Sequence, residues 1–229
     1  KRYSGILERL GINEQQYLSN FGIGGDITAA ALLDVKNMDK HIVFITKNGI
    51  VKKSKLSEYN LKRSTGAQAL KLDDGDEIVS ILFIDDERIG ILSRDGQFIM
   101  VQSSPIKPLG RLTRGIIGMK LNTGDYVVSA RAISTDANAL FSITSDGYGK
   151  STLIKEFNIT STNTKGVKIQ KSDAMCDFMP ICNTNDLLVN SSTTQIRVKY
   201  QDIPVLSRGT QGVKLIKLID NYVIGVSLI

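Results

Sequence analysis

Short runs of Ile, Leu, Val and Phe alternate with tight polar turns along most of the chain. The clearest unit begins at His41. HIVFIT predicts a strand, Lys47-Asn48-Gly49 a hairpin turn, and IVKKSKL the returning strand. Asn-Gly reaches the positive φ angles of a two-residue hairpin at little cost, so residue type as well as polarity marks the turn. A polar and basic loop, LSEYNLKRSTG, leads to a third predicted strand, AQALKL. A second turn at Asp74-Gly75-Asp76 leads to a fourth, EIVSILFI. This last run is apolar at consecutive positions, the pattern of a strand covered on both faces.

The unit recurs. First turns fall at Gly49, Gly96, Gly147 and Thr194, spaced 47, 51 and 47 residues apart. A second glycine follows at Gly66, Gly115, Gly166 and Gly212, spaced 49, 51 and 46. Two landmarks advancing together at a period of about 40 to 50 residues in β-rich sequence predict radial blades rather than one large sandwich. Asp95-Gly96 and Asp146-Gly147 repeat the hairpin chemistry, whereas Thr193-Thr194 requires a different turn. Gly25-Asp26 followed by ITAAALLDV matches Gly75-Asp76 followed by EIVSILFI at an offset of 50, so residues 1–40 read as a partial copy. The expectation is one all-β, propeller-like domain over 1–229 with about five four-stranded blades and repeats near 41–87, 88–138, 139–186 and 187–229. Four blades, or a long antiparallel sandwich with fortuitous spacing, are the alternatives.

Composition narrows the chemistry. Trp is absent and aromatics are 6%, so the core must be built from aliphatic residues. The 29 basic and 23 acidic residues leave a net charge of +6, compatible with a polyanionic partner without demanding one. Cys176 and Cys182 are the only cysteines and His41 the only histidine, too few for a structural zinc site. Two cysteines in a chain of this length suggest free thiols in a reducing compartment. No apolar run approaches the ~18 residues that span a membrane. The polar N-terminus is unlike a signal peptide, and the chain starts without Met, as an excised piece of something longer would. A cytoplasmic location is the expectation. No P-loop, H-x-x-x-H or G-x-S-x-G motif is present. Asp73, Asp74 and Asp76 lack the 12-residue calcium-loop pattern and read as a turn.

The strings KNGIVKKSKLSEY, GRLTRGIIGMKLNTGDYVV and SRGTQGVKLIKL resemble the C-terminal domain of bacterial type IIA topoisomerase A subunits, the family that includes those of DNA gyrase and of topoisomerase IV. The resemblance runs from about Gly25 to the C-terminus. It implies a β-pinwheel, a propeller-like disc whose blades exchange strands, with duplex DNA bent around a basic rim. The implied partners are double-stranded DNA, the B subunit of the enzyme and the remainder of its A subunit, in the bacterial cytoplasm at the nucleoid. It also implies no cofactor and no catalysis in this domain, since the DNA-cleaving tyrosine of the family lies elsewhere. One departure stands out. Gyrases carry a box of the type Q-R-R-G-G-K-G in one blade, where this chain reads Asn60-Leu61-Lys62-Arg63-Ser64-Thr65-Gly66. The basic pair remains and the Gly-Gly centre is gone, which points to the A subunit of topoisomerase IV or a box-less gyrase paralogue, while S-R-G-T-Q-G-V is gyrase-like. Both stay open.

Wrapped duplex needs cations along a curved edge rather than in a deep pocket. Lys52, Lys53, Lys55, Lys150, Arg197 and Lys199 follow the first turns. Lys62, Arg63, Arg111, Arg114, Lys165 and Arg208 precede the second glycines, and Lys120, Lys168 and Lys214 follow them, as does Lys71. Repeated positions in a repeated fold share one radius, so these side chains are expected to form an arc. The low net charge places acids on the opposite face, with Asp73, Asp74, Asp76, Asp85, Asp86 and Glu87 as candidates. Tyr59, Tyr148 and Phe157 are expected to pack rather than stack on bases. The competing reading is a protein-interaction propeller with no DNA role.

Overall fold

The computed structural model describes residues 39–59, 68–182 and 186–229. Residues 1–38 of the partial N-terminal copy, Lys62, Arg63 and Gly66 lie outside the described residues. Within them four small sheets follow one another. Blade 1 contains β1 (His41–Thr46), β2 (Ile50–Lys55) and β3 (Ile78–Ile84); blade 2 contains β4 (Arg88–Ser93), β5 (Gln97–Gln102) and β7 (Val127–Ile133). Blade 3 contains β8 (Ala139–Thr144), β9 (Tyr148–Leu153) and β12 (Met175–Ile181); blade 4 contains β13 (Leu187–Ser191), β14 (Gln195–Val198) and β16 (Val223–Leu228). In each blade the first strand is central, paired antiparallel with the hairpin partner on one side and the inner strand on the other. The inner strands β3, β7, β12 and β16 lie side by side in sequence order.

The fourth strand of a blade comes from the next copy. β6 (Ile116–Ile117) pairs with β2, β11 (Val167–Lys168) with β5, and β15 (Val213–Lys214) with β9. Blade 2 also receives β10 (Ile159–Thr160), parallel to β5. The sequence predicts a full strand of the same blade after each second glycine. Instead, in copies two, three and four only two residues join the ladder, and that ladder belongs to the preceding blade. The physical reason is that Met119, Ile169 and Ile216 turn away from the edge and are buried in the cores between blades.

Period-2 alternation assigns each face of a strand to a different core. On β1, Val43 and Ile45 enter the core shared with blade 2, while Ile42 and Phe44 pack on the other side of blade 1 with Leu56 and Leu70. On β4, Ile89 and Ile91 face blade 1 and Leu92 faces blade 3. Middle blades are covered on both faces, which is why β5, β8 and β12 are buried at nearly every position.

The second glycine of copies two, three and four is the pivot of strand exchange. Gly115, Gly166 and Gly212 have φ of 106°, 76° and 89° and lie against the backbone of the preceding blade. A Cβ on Gly166 would stand 2.2 Å from Phe98 O and 2.5 Å from Ile99 Cγ2. Left-handed backbone alone costs a non-glycine residue roughly 1–2 kcal/mol, and the overlap adds to that. Gly166→Ala is expected to lose at least about 2 kcal/mol in urea unfolding; a loss under half of that counts against the pivot. In the fourth copy Ser191 replaces the glycine chemistry of the first turn: its Oγ accepts from Thr194 N at 2.9 Å and its backbone N donates to Thr194 O at 2.8 Å.

Candidate nucleic-acid interface

The loop that carries each donor strand is fastened by the same parts in different copies. Glu58 of LSEY accepts from Arg111 N at 2.9 Å, and Glu156, at the equivalent place in copy three, accepts from Arg208 N at 3.1 Å. Thr113 and Thr210 close the loop turn, each hydroxyl donating to the carbonyl three residues back at 2.8 Å. Their own carbonyls then accept from the preceding copy: Lys71 N to Thr113 O at 3.0 Å and Lys171 N to Thr210 O at 3.0 Å, with Lys120 N to Thr164 O at 2.9 Å between them. The R-x-T-x-G motif is thus a joint between copies.

Lys71, Lys120, Lys171 and Lys217 stand five residues after the second glycine in every copy, and all four are exposed. Three of them mark the joints. Lys171 and Lys217 are absent from the cations expected on the arc, which mix two offsets from the glycine; a single fixed offset finds them. Beside Lys171 lies an open cavity of about 380 Å³ lined by Lys168, Lys171, Ser172, Asp173 and Gly209.

The expected cations divide into three groups. Lys52, Lys53 and Lys150, expected on the arc, are buried at 0%, 5% and 0% exposure. Lys52 Nζ donates to Ala69 O at 2.9 Å and to Arg111 O, Lys53 Nζ to Ser103 O at 3.0 Å, and Lys150 Nζ to Thr152 Oγ1 at 2.6 Å and Ser207 O at 3.0 Å. They pin the loops from inside, because their strand positions face the neighbouring loop rather than solvent. A second group is engaged with protein partners. Arg114 grips Asp73 through Nε and Nη2 at 2.8 and 2.5 Å, and Arg197 holds Asp186 at 2.7 Å. Lys168 Nζ donates to Asp95 O, and Lys214 Nζ to Asp146 O at 2.6 Å while lying over the Tyr148 ring at 4.9 Å. Arg111, half-buried, donates from Nη1 to Gln68 O at 2.8 Å, and Arg208 is likewise half-buried. The third group, Lys55, Lys120, Lys165 and Lys199, is exposed.

The acids expected opposite the arc do not all lie away from its cations. Asp73 neutralises Arg114, Asp85 pairs with Lys40 at 3.2 Å, and Asp76 Oδ1 accepts from Asn48 N at 3.0 Å in the hairpin turn. Tyr59 packs 5.5 Å from Phe44 and donates its hydroxyl to Ala69 O at 2.9 Å; Phe157 packs edge-on to Phe98 at 5.1 Å.

Burial of the ammonium lowers the Lys150 pKa to about 8, with Glu156 pulling weakly the other way. Lys52 and Lys53 move in the same direction for the same cause. An unfolded lysine titrates near 10.5. Between about 8 and 10.5 the unfolded chain therefore holds a proton that native Lys150 has released, so stability rises with pH across that window. Each pH unit inside it is worth up to about 1.4 kcal/mol. Urea unfolding at about pH 7.5 and 9.5, either side of that window's lower part, is expected to show a gain in the native protein that shrinks in Lys150→Met; equal gains in both would refute it.

The family model for the DNA gyrase C-terminal domain, beta-propeller, matches residues 40–85, 91–134, 138–173 and 196–227. The DNA gyrase A subunit of Helicobacter pylori (strain ATCC 700392 / 26695) is 39% identical over 190 residues, 80% of this chain and 23% of that protein. The DNA gyrase A subunit of Chlamydia muridarum is 32% identical over 207 residues, 86% of this chain and 25% of that protein. The chain thus spans about a quarter of the length of these curated relatives. Among solved structures, a DNA gyrase A C-terminal domain superposes with a TM-score of 0.85 at 20% identity, over 96% of this chain and 76% of the other. A topoisomerase IV C-terminal domain superposes with 0.84 at 22% identity, over 93% and 69%. The fold is theirs, and the four matched segments each contain strands of a different blade: the chain belongs to the DNA gyrase C-terminal domain family of β-propellers.

Proposed function

We propose that this chain binds duplex DNA without sequence preference and bends it along the edge formed by its donor loops, as a non-catalytic accessory domain of a type IIA topoisomerase A subunit. It would act with the B subunit and the remainder of its own A subunit on nucleoid DNA in the bacterial cytoplasm. The observation that carries the reading is the lysine at one fixed offset in all four copies, exposed each time and seated at a joint between copies in three. A repeated station on a repeated scaffold gives evenly spaced charges, which suits a regularly spaced phosphate backbone. The cavity beside Lys171 offers room for a phosphate at that lysine, although Asp173 also lines it and Lys168 is turned to Asp95 O. Lys55, Lys165 and Lys199 extend the exposed set, whereas the inward amines of Lys52, Lys53 and Lys150 leave them a scaffold role. Lys62 and Arg63 stay in the proposal on sequence grounds alone.

Bending ~20–30 bp by 40–90° costs about 1–6 kcal/mol, which several phosphate contacts at low salt can offset. The test is duplex affinity across a salt series, with two unrelated sequences. Equal affinities and a steep log–log slope are expected, and Lys120→Ala should reduce the slope by about 1. A flat salt dependence, or capture of protein partners unaffected by nuclease with no duplex binding, would overturn it.

A further inference from the structure

Each inner strand slips one residue against its central strand at the same place: opposite Ile45/Thr46, opposite Leu92/Ser93, at Met175/Asp177, and opposite Asn190/Ser191. The inner-strand residues at these four stations are Ser80, Ser129, Asp177 and Gly225. The first three reach into the joint with a neighbouring blade. Ser80 Oγ accepts from Ala130 N of blade 2 at 3.1 Å. Asp177, 4% exposed, accepts from Ser129 Oγ of blade 2 at 2.6 Å and from Val226 N of blade 4 at 3.0 Å. Arg131 Nη2 of blade 2 donates to Asp177 Oδ2 at 2.7 Å and to Val226 O at 3.1 Å. One carboxylate therefore links the inner strands of three blades. Gly225 has no side chain to extend the series, and a Cβ there would meet only Asp177 Oδ2, at 3.2 Å.

Each joint has another directional link, at the start of the inner strand: Val127 N to Lys47 O at 2.9 Å, Met175 N to Arg94 O at 2.8 Å, and Val223 N to Ser145 O at 2.8 Å. At the joint of blades 3 and 4 this link and Cys176 Sγ to Val223 O at 3.2 Å lie at one end of the strands and leave the blades free to rotate about that end. At the joint of blades 2 and 3, Ser134 Oγ meets Cys182 Sγ at 3.2 Å at the far end. Apolar packing between them is non-directional, and the donor strands are tethered to their own blades through loops. A second hydrogen-bonded point in mid-strand removes that rotation. We infer that Asp177 is a positioning residue that fixes the angle between blades 2, 3 and 4, and with it the curvature of the edge.

The consequence for DNA rests on the function proposed above, but the angle is measurable without DNA. Spin labels introduced by non-cysteine chemistry at exposed Lys107 in blade 2 and Ser192 in blade 4 report their separation. Asp177→Asn, which keeps the volume but turns one acceptor into a donor facing Arg131, is expected to shift or broaden the distance distribution; Ser129→Ala should do so less. Phe44→Leu, on the far side of blade 1, should lower stability and leave the distribution unchanged. In duplex carrying end-dyes, Asp177→Asn should change the bend while preserving the salt slope. A distribution superimposable on the native one, or an equal shift in Phe44→Leu, would overturn the inference. Loss of DNA binding in the native protein would overturn only the functional reading, because the label distances stand apart from it.

Discussion

Asp177→Ala is expected to cost about 3–5 kcal/mol of unfolding free energy, the scale for removing one partner of a buried charged pair. The carboxylate is the acceptor for Ser129 Oγ, Arg131 Nη2, Val226 N and Phe178 N. Alanine leaves the Arg131 guanidinium, 30% exposed, beside an emptied buried site and strands two backbone N–H groups in the core. Each stranded donor adds roughly 1–3 kcal/mol, but water entering beside partly exposed Arg131 offsets part of that. Ser80→Ala makes the contrast. It removes a single neutral acceptor, so about 1 kcal/mol is expected. Urea denaturation of both variants decides the matter. If Asp177→Ala costs no more than Ser80→Ala, the three-blade cluster contributes nothing beyond an ordinary hydrogen bond.

The second large effect is on binding. Replacing Lys71, Lys120, Lys171 and Lys217 together by alanine removes four exposed charges and touches no buried amine. Each phosphate contact contributes about 0.9 to the log–log salt slope, so the slope should fall by about 3 to 4 and affinity near 0.1 M salt on the order of a thousandfold. Stability should change by less than about 0.5 kcal/mol per site, because the hydrogen bonds at these joints run from the lysine backbone and survive the substitution. Lys150→Met supplies the opposite profile, with stability and its pH dependence altered and the salt slope kept. A quadruple variant that binds duplex like the native protein would remove the ladder from the interface.

How much is legible in the sequence depends on the range of the interaction responsible. The hairpin turns at Gly49, Gly96 and Gly147 follow from local backbone preference, and all three have positive φ between 80° and 89°. Coverage does not follow from residue type: EIVSILFI, the apolar run expected to be covered on both faces, forms β3, half-buried at every position but Ile84, whereas β12, which contains Asp177, is buried throughout. Lys52 and Lys150 show the limit. They occupy strand positions at which a basic residue is ordinarily solvated, and their burial comes from Arg111 O and Ser207 O, carbonyls 59 and 57 residues away. Nothing local distinguishes them from exposed Lys55.

The sequence by itself determined the repeat, the hairpin turns and the strands that flank them, because each depends on neighbours a few residues apart or on simple periodicity; the cations expected on the arc did not include Lys171 and Lys217. Only the tertiary structure decided which blade owns each donor strand, which amines turn inward, and that Asp177 joins three inner strands. Those outcomes come from pairing across about 50 residues, where the chain's path between blades, and not residue type, sets which donor meets which acceptor.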